Sequence, residues 1–123
     1  MATLTKSETM TLYFKCMDGA DFETARELFA EDAVYLRPPL GGTPENPFAT
    51  SGTTAVEGLP AICEFWKQRG KRATRHVIGL ESVTGNEWFA EGKVSVGESE
   101  SKLFLCHVTF TADGLVQRFV ALR

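Results

Sequence analysis

The sequence predicts an α+β fold, with helices concentrated in the N-terminal part and a mostly antiparallel sheet in the rest. Three observations carry this reading. Apolar residues recur at helical spacing in several stretches up to Arg69. From Thr74 onward the pattern becomes extended, with alternating faces. Those extended runs are separated by short polar turns at Gly85-Asn86, at GESES (97–101) and at Asp113-Gly114.

The elements follow in order. Ser7 is read as the cap of a helix to Asp18, in which Met10, Phe14 and Met17 share a face and Tyr13 lies beside them. Gly19-Ala20 breaks it. Asp21 caps a second helix, with Thr24 at the third position and Phe22, Ala25, Leu28 and Phe29 as its apolar face. Ala33 to Arg37 alternates as a strand, stopped by Pro38, which has no N–H for a ladder bond. A Gly-, Pro- and Thr-rich stretch follows as a long loop, with Phe48 its one large apolar side chain. A third helix spans Leu59 to Arg69, with Pro60 at a tolerated early position and Gly70 as its stop. Ile62, Phe65, Trp66 and Arg69 share a face of it. Strands are expected over Thr74–Val83, Glu87–Val96, Lys102–Thr111 and Leu115–Leu122. A strongly curved sheet with helices across its concave side makes a cone, whose interior suits a small molecule.

The chain has the length of one domain, 123 residues, and we find no repeat and no linker, so residues 1–123 are read as one unit. A net charge of −3 argues against a general nucleic-acid binder. The one basic cluster, Lys67, Arg69, Lys71, Arg72 and Arg75, reads as a solvated helix end. The N-terminal stretch lacks the pattern of a secretory signal, and no apolar run is long enough to span a bilayer. Cys16, Cys63 and Cys106 are far apart, form no CxxC pair, and read as reduced thiols of a cytoplasmic protein. With only two histidines, no all-protein metal site and no cofactor is expected.

Three stretches carry a family resemblance: LFAEDAVYLRPP, VEGLPAICEFW and FTADGLVQRFVAL. With the strand spacing, they make nearly the whole chain similar to the nuclear-transport-factor-2-like, or SnoaL-like, superfamily of cystatin-like α+β cones. The resemblance is closest to steroid Δ5-3-ketoisomerases. Those enzymes use an Asp base with an oxyanion hole of a Tyr and a protonated Asp. Tyr13 matches the tyrosine's place. Arg37 stands where the base belongs, before a proline, and Cys106 stands where the protonated Asp belongs. Arginine stays protonated and cannot accept the proton, so steroid isomerisation by the inherited route is not expected. The limonene-type epoxide hydrolases of the same fold use an Asp-Arg-Asp set, which this sequence does not show.

On this alignment Tyr35 and Arg37 face the cavity, while Val34 and Leu36 do not. Phe104, Cys106 and Val108 point inward and His107 outward. Gln117 and Phe119 point inward, and His76, Ile78 and Leu80 share the inner face. The residues expected to carry chemistry are His76 as a proton mover and Tyr13 and Arg37 as holders of an oxyanion. Each also has a plain structural role open to it: a hydrogen-bonded core histidine, an amphipathic core tyrosine, and for Arg37 an ion pair to Asp32 or Glu57 or a place on a solvated rim. Phe14, Met17, Tyr35, Phe48, Phe65, Trp66, Ile78, Phe104, Cys106, Gln117 and Phe119 are the expected ligand-contacting set. Cys106 is better suited to be a small core hydrophobe than a nucleophile. The expected ligand is a small, mostly apolar or carbonyl-bearing molecule, with neither nucleic acid nor membrane as a partner. The resemblance further implies a homodimer through the convex sheet face, near His107 and Thr109. Two functions remain: a lyase or isomerase acting next to a carbonyl, or a non-catalytic ligand-binding or protein-interaction domain.

Overall fold

The computed structural model describes residues 4–38 and 53–123. Thr5, not Ser7, starts the first helix, α1 (Lys6–Gly19). Its hydroxyl accepts from Glu8 N–H at 3.0 Å, and the Glu8 carboxylate accepts from Thr5 N–H at 2.9 Å. The two bonds satisfy orphan donors reciprocally, so the cap moves to where a glutamate sits three residues on. The helix ends at Ala20, which takes the left-handed conformation at φ 55 while Asp21 N–H bonds Cys16 O at 2.8 Å.

Helix α2 (Phe22–Arg26) is capped as expected: Asp21 Oδ1 accepts from Thr24 N–H at 3.2 Å. It is shorter than its apolar face suggested. Leu28 and Phe29 lie beyond it, because strand β1 (Phe29–Arg37) begins at Phe29 rather than Ala33. The cause is non-local. Phe29 pairs with Val116, and Val116 N–H donates to Leu28 O at 2.8 Å, so the C-terminal strand captures residues that local spacing assigned to a helix. A second departure is β2 (Thr54–Glu57), which pairs antiparallel with β1 inside the stretch read as loop. Residues 39–52, with Phe48, lie outside the described residues.

The remaining elements fall where they were expected. They are α3 (Leu59–Arg69), β3 (Thr74–Thr84), β4 (Glu87–Val96), β5 (Lys102–Phe110) and β6 (Val116–Leu122). Among the described residues six strands form one curved, unclosed sheet in the order β2-β1-β6-β5-β4-β3. Only β1 and β6 run parallel among these neighbours; the other pairs are antiparallel. The core lies between the concave face and the helices, centred on Tyr13, Tyr35, Ile62, Trp66, Trp88 and Phe119, each at most 2% exposed. The buried Trp88 indole donates to Glu81 at 2.9 Å, which satisfies the one polar atom of a large core side chain.

The bend of the sheet has identifiable causes. Pairing between β3 and β4 slips between Ile78 and Leu80, so Gly79 is the extra residue of a bulge. The slip moves Leu80 off the inner face, against expectation, and leaves it 68% exposed on the convex side. Opposite the bulge, Gly92 pairs with Phe104. A Cβ on Gly92 would lie 2.6 Å from the Phe104 ring and 2.6 Å from Val77 O. Glycine there leaves the room that the Phe104 ring occupies beside the backbone.

Candidate functional site

The concave face and the helices enclose a cavity of about 450 Å³, its open mouth included. Helix α1 contributes Tyr13, Phe14 and Met17, and the end of β1 contributes Tyr35, Arg37 and Pro38. Arg69 comes from the end of α3, His76 from β3 and Val94 from β4. Phe104 comes from β5, and Phe119, Ala121 and Arg123 from β6 and just past it. Its lining joins aromatic side chains with His76 and three arginines.

His76 is the best-organised group in it. Its Nδ1 lies 2.5 Å from Asp18 Oδ1, and its backbone N–H donates to Asp18 Oδ2 at 3.0 Å. Asp18 sits in the last turn of α1, 58 residues away in sequence. Thr74 also donates to Asp18 Oδ1, at 2.9 Å, and Arg69 donates to Thr74 Oγ1 at 3.1 Å. Burial would raise the Asp18 carboxyl, but the hydrogen bonds and charge of His76, with Thr74, hold it below the usual value. An ionised carboxylate only accepts, so the Nδ1 facing it carries the hydrogen. Nε2 is then the ring's acceptor when the imidazole is neutral, and it has no hydrogen-bond partner among the described residues. The ring is packed by Phe14 at 4.9 Å and Phe104 at 5.7 Å between centroids. Orientation, tautomer and an unengaged nitrogen together are what a general base needs.

Tyr13 and Tyr35 meet hydroxyl to hydroxyl in the cavity's inner wall. One proton links the two oxygens, so the other hydroxyl hydrogen is available to a third acceptor. Burial, then the neighbouring Tyr35, push the Tyr13 phenol well above its ordinary value. It therefore stays neutral and able to donate, the form an oxyanion-holding phenol must have.

Arg37 makes no ion pair with Asp32 or Glu57 among the described residues. Its Nε donates to Pro38 O at 3.0 Å and its guanidinium lies 5.5 Å from the centre of the Phe65 ring. Asp32 is instead met by the Gln117 amide at 3.2 Å. Arg69 is buried and donates to Met17 O and Gly70 O at 3.2 and 3.0 Å as well as to Thr74.

The expected chemistry-bearing residues, His76, Tyr13 and Arg37, all line one cavity, with Phe14, Met17, Tyr35, Phe104 and Phe119. Others of the expected set do not line it. Trp66 is fully buried behind it, edge-on to Phe29 and Tyr35, and Phe65 packs on Tyr35 and under Arg37. Cys106 faces inward but sits in the core, where burial drives its thiol far up, beyond use as a nucleophile. Ile78 is half-buried near the bulge, and Gln117 is drawn aside to Asp32 by the irregular register at the start of β6. Nothing in the sequence marks Asp18 or Arg123 as cavity groups, and Arg69, expected at a solvated helix end, is instead buried and lines the cavity. Asp18 looked like the end of a helix, and no local spacing announces a partner on β3. Among the described residues no cluster of three or more His, Cys, Asp or Glu is arranged to hold a metal. No described helix is long and apolar enough to cross a membrane.

The SnoaL-like domain family matches residues 7–118, nearly the whole chain. The chain belongs to that family. Solved structures similar to this SnoaL-like chain include a protein assigned as a polyketide cyclase from Sinorhizobium meliloti. It has 19% identity and a TM-score of 0.69, over 96% of this chain and 99% of that one. Another is a protein assigned as a ketosteroid isomerase from Kribbella flavida, with 18% identity, TM-score 0.68, and coverage of 95% and 76%. A third is the epoxide hydrolase/cyclase-like enzyme SalBIII of pyran ring formation in the polyether salinomycin, with 16% identity, TM-score 0.71, and coverage of 95% and 88%. At these identities the likeness is one of fold. No curated protein matches this SnoaL-like sequence.

Proposed function

We propose that this SnoaL-like protein moves a proton on the carbon next to a carbonyl of a small, mostly apolar ligand, as a lyase or isomerase. The observation that carries the proposal is the Asp18–His76 pair on the wall of an aromatic cavity. His76 Nε2 takes the proton as the C–H bond breaks, and the electron pair moves onto the carbonyl oxygen. The enolate oxygen is met by the Tyr13 hydroxyl, and Arg37 holds the ligand's polar end. An isomerase returns the proton at another carbon; a lyase expels a group from the adjacent one.

The reaction is not the ketosteroid isomerase route. By the family resemblance Arg37 stands where that base belongs and Cys106 where the protonated Asp belongs, and Cys106 is a buried thiol with its proton held tightly. The same two substitutions favour the second reading, a domain that holds its ligand without turnover. Exchange of carbonyl-adjacent hydrogens in D₂O, followed by NMR on a panel of small aryl ketones and oxo acids, separates the two. Catalysed exchange on at least one member supports the first reading. Binding without exchange across the panel sinks it.

We also propose that the protein pairs with a second copy through the convex face. Val77, Leu80, Phe89, Leu103, Leu105 and Leu122 are each 43–68% exposed there. A row of large apolar side chains on one sheet face marks an interaction surface. Glu87 accepts from His107 Nε2 at 2.8 Å and from Thr109 at 2.6 Å, giving the face a polar edge, and His107 stacks on Phe89. Sedimentation should show a dimer that Leu80→Glu with Leu105→Glu converts to monomer. A wild-type monomer at tens of micromolar, by the usual affinity arithmetic, rules this face out as a stable dimer contact. Three free, separated cysteines fit a reducing compartment such as the cytoplasm.

A further inference from the structure

Guanidinium groups converge on the cavity in a way that the proton-transfer chemistry does not require. Arg37, Arg69 and Arg123 all line it, from three different elements of the fold. Arg72 stands near enough that Arg69 and Arg37 add to the lowering that burial causes in it. Arg123 is lowered to about 10, by burial first and then by Arg37, Arg72 and Arg69, and is still charged at neutral pH. These like charges gather in a chain whose net charge is −3. Among the described residues, Asp18 beside the cavity has its carboxylate engaged by His76 and Thr74. Arg69 donates to carbonyls and a hydroxyl, and Arg37 to a carbonyl. Cations partly removed from water and pressed together raise the local potential and draw in an anion.

We infer that the ligand is an organic acid, an aryl or unsaturated oxo acid, whose carboxylate is met at the cavity mouth by Arg37 and Arg123. The planar fork of arginine fits a carboxylate through two parallel hydrogen bonds. The apolar body lies against Phe14, Phe104 and Phe119, and the carbonyl comes between His76 and Tyr13. A free phosphate satisfies the arginines but leaves the aromatic wall unused. This inference rests on the cavity being the ligand site, the reading proposed above, and narrows the substrate class to acids.

The test compares two probes that differ by the acid group: phenylpyruvate and benzyl methyl ketone, titrated calorimetrically into the full chain. Phenylpyruvate should bind at least ten times more tightly, and the gap should narrow as salt rises. Arg37→Gln combined with Arg123→Gln should bring the two probes within about twofold, while Arg37→Lys, which keeps a charge, keeps part of the gap. Unfolding curves confirm that each variant folds. Equal binding of the two probes, a gap that survives the double variant, or inorganic phosphate binding as tightly as phenylpyruvate overturns the inference. His76→Gln separates this inference from the proton-transfer reading. It should keep the preference for the acid while losing exchange. A retained preference with no exchange even in wild type leaves the acid assignment standing and removes only the catalytic one.

Discussion

Replacing His76 by glutamine is expected to slow carbonyl-adjacent hydrogen exchange by about 10²–10⁴-fold, the usual contribution of a positioned general base. Glutamine retains polarity and much of the volume, so the fold should persist; unfolding curves check this. The more informative variant is Asp18→Asn. Asparagine keeps the shape but presents an amide that can donate toward Nδ1. The imidazole would then carry its hydrogen on Nε2, the wrong nitrogen for a base facing the cavity. Loss of the right tautomer in an oriented histidine can cost as much as loss of the histidine. Asp18→Asn is therefore expected to lose activity on the same order as His76→Gln, and the double variant should be little worse than either. An Asp18→Asn protein with unchanged exchange would reduce Asp18 to a structural partner.

The second large effect is on stability. Gly92→Ala should destabilise the fold by about 2–3 kcal/mol, as overpacking of a filled site does. For a domain of this size that lowers the melting temperature by about 10 °C. The added Cβ meets both the Phe104 ring and the Val77 carbonyl at 2.6 Å, and a backbone carbonyl cannot rotate away as a flexible side chain can. Phe104 lines the cavity and packs on His76, so its displacement should also disturb the site. Gly79→Ala is the control. Its Cβ would come no closer than 3.5 Å, to Glu91 O, an ordinary contact. Equal melting temperatures for the two variants would contradict this account of how the sheet bends.

The fold was legible where alternation and capping act locally. The strands after Ala73 and the helix from Leu59 to Arg69 stand where their patterns place them. Alternation puts Phe104, Cys106 and Val108 on one face and the family resemblance makes that face the inner one; each is at most 4% exposed. Legibility failed where distant chain decides. Phe29 looks helical until Val116 pairs with it, and Thr54–Glu57 looks like loop until β1 accepts it as an edge strand. Leu80 points outward because one extra residue at Gly79 reverses every face after it, and glycine leaves no apolar mark to reveal the slip.

The site divides the same way. His76, Tyr13 and Arg37 stood out as polar groups at places where strand alternation and the family likeness point inward. Their surroundings could not be read in the same manner. Asp18 finds His76 only because α1 lies across β3, and Arg123 reaches the cavity only because β6 runs beside β1. Cys106 shows that facing inward does not mean facing the cavity, since the core continues behind the cavity wall.

Asp18 sets His76 as a base with its Nε2 open to the cavity. Long-range ¹H–¹⁵N NMR of the two ring nitrogens of the neutral imidazole reads this arrangement without any substrate. The wild-type protein should carry the hydrogen on Nδ1 with Nε2 unprotonated, and Asp18→Asn should reverse or mix the preference. A wild-type His76 protonated on Nε2, with Nδ1 bare, would remove Asp18 as the group that sets the tautomer.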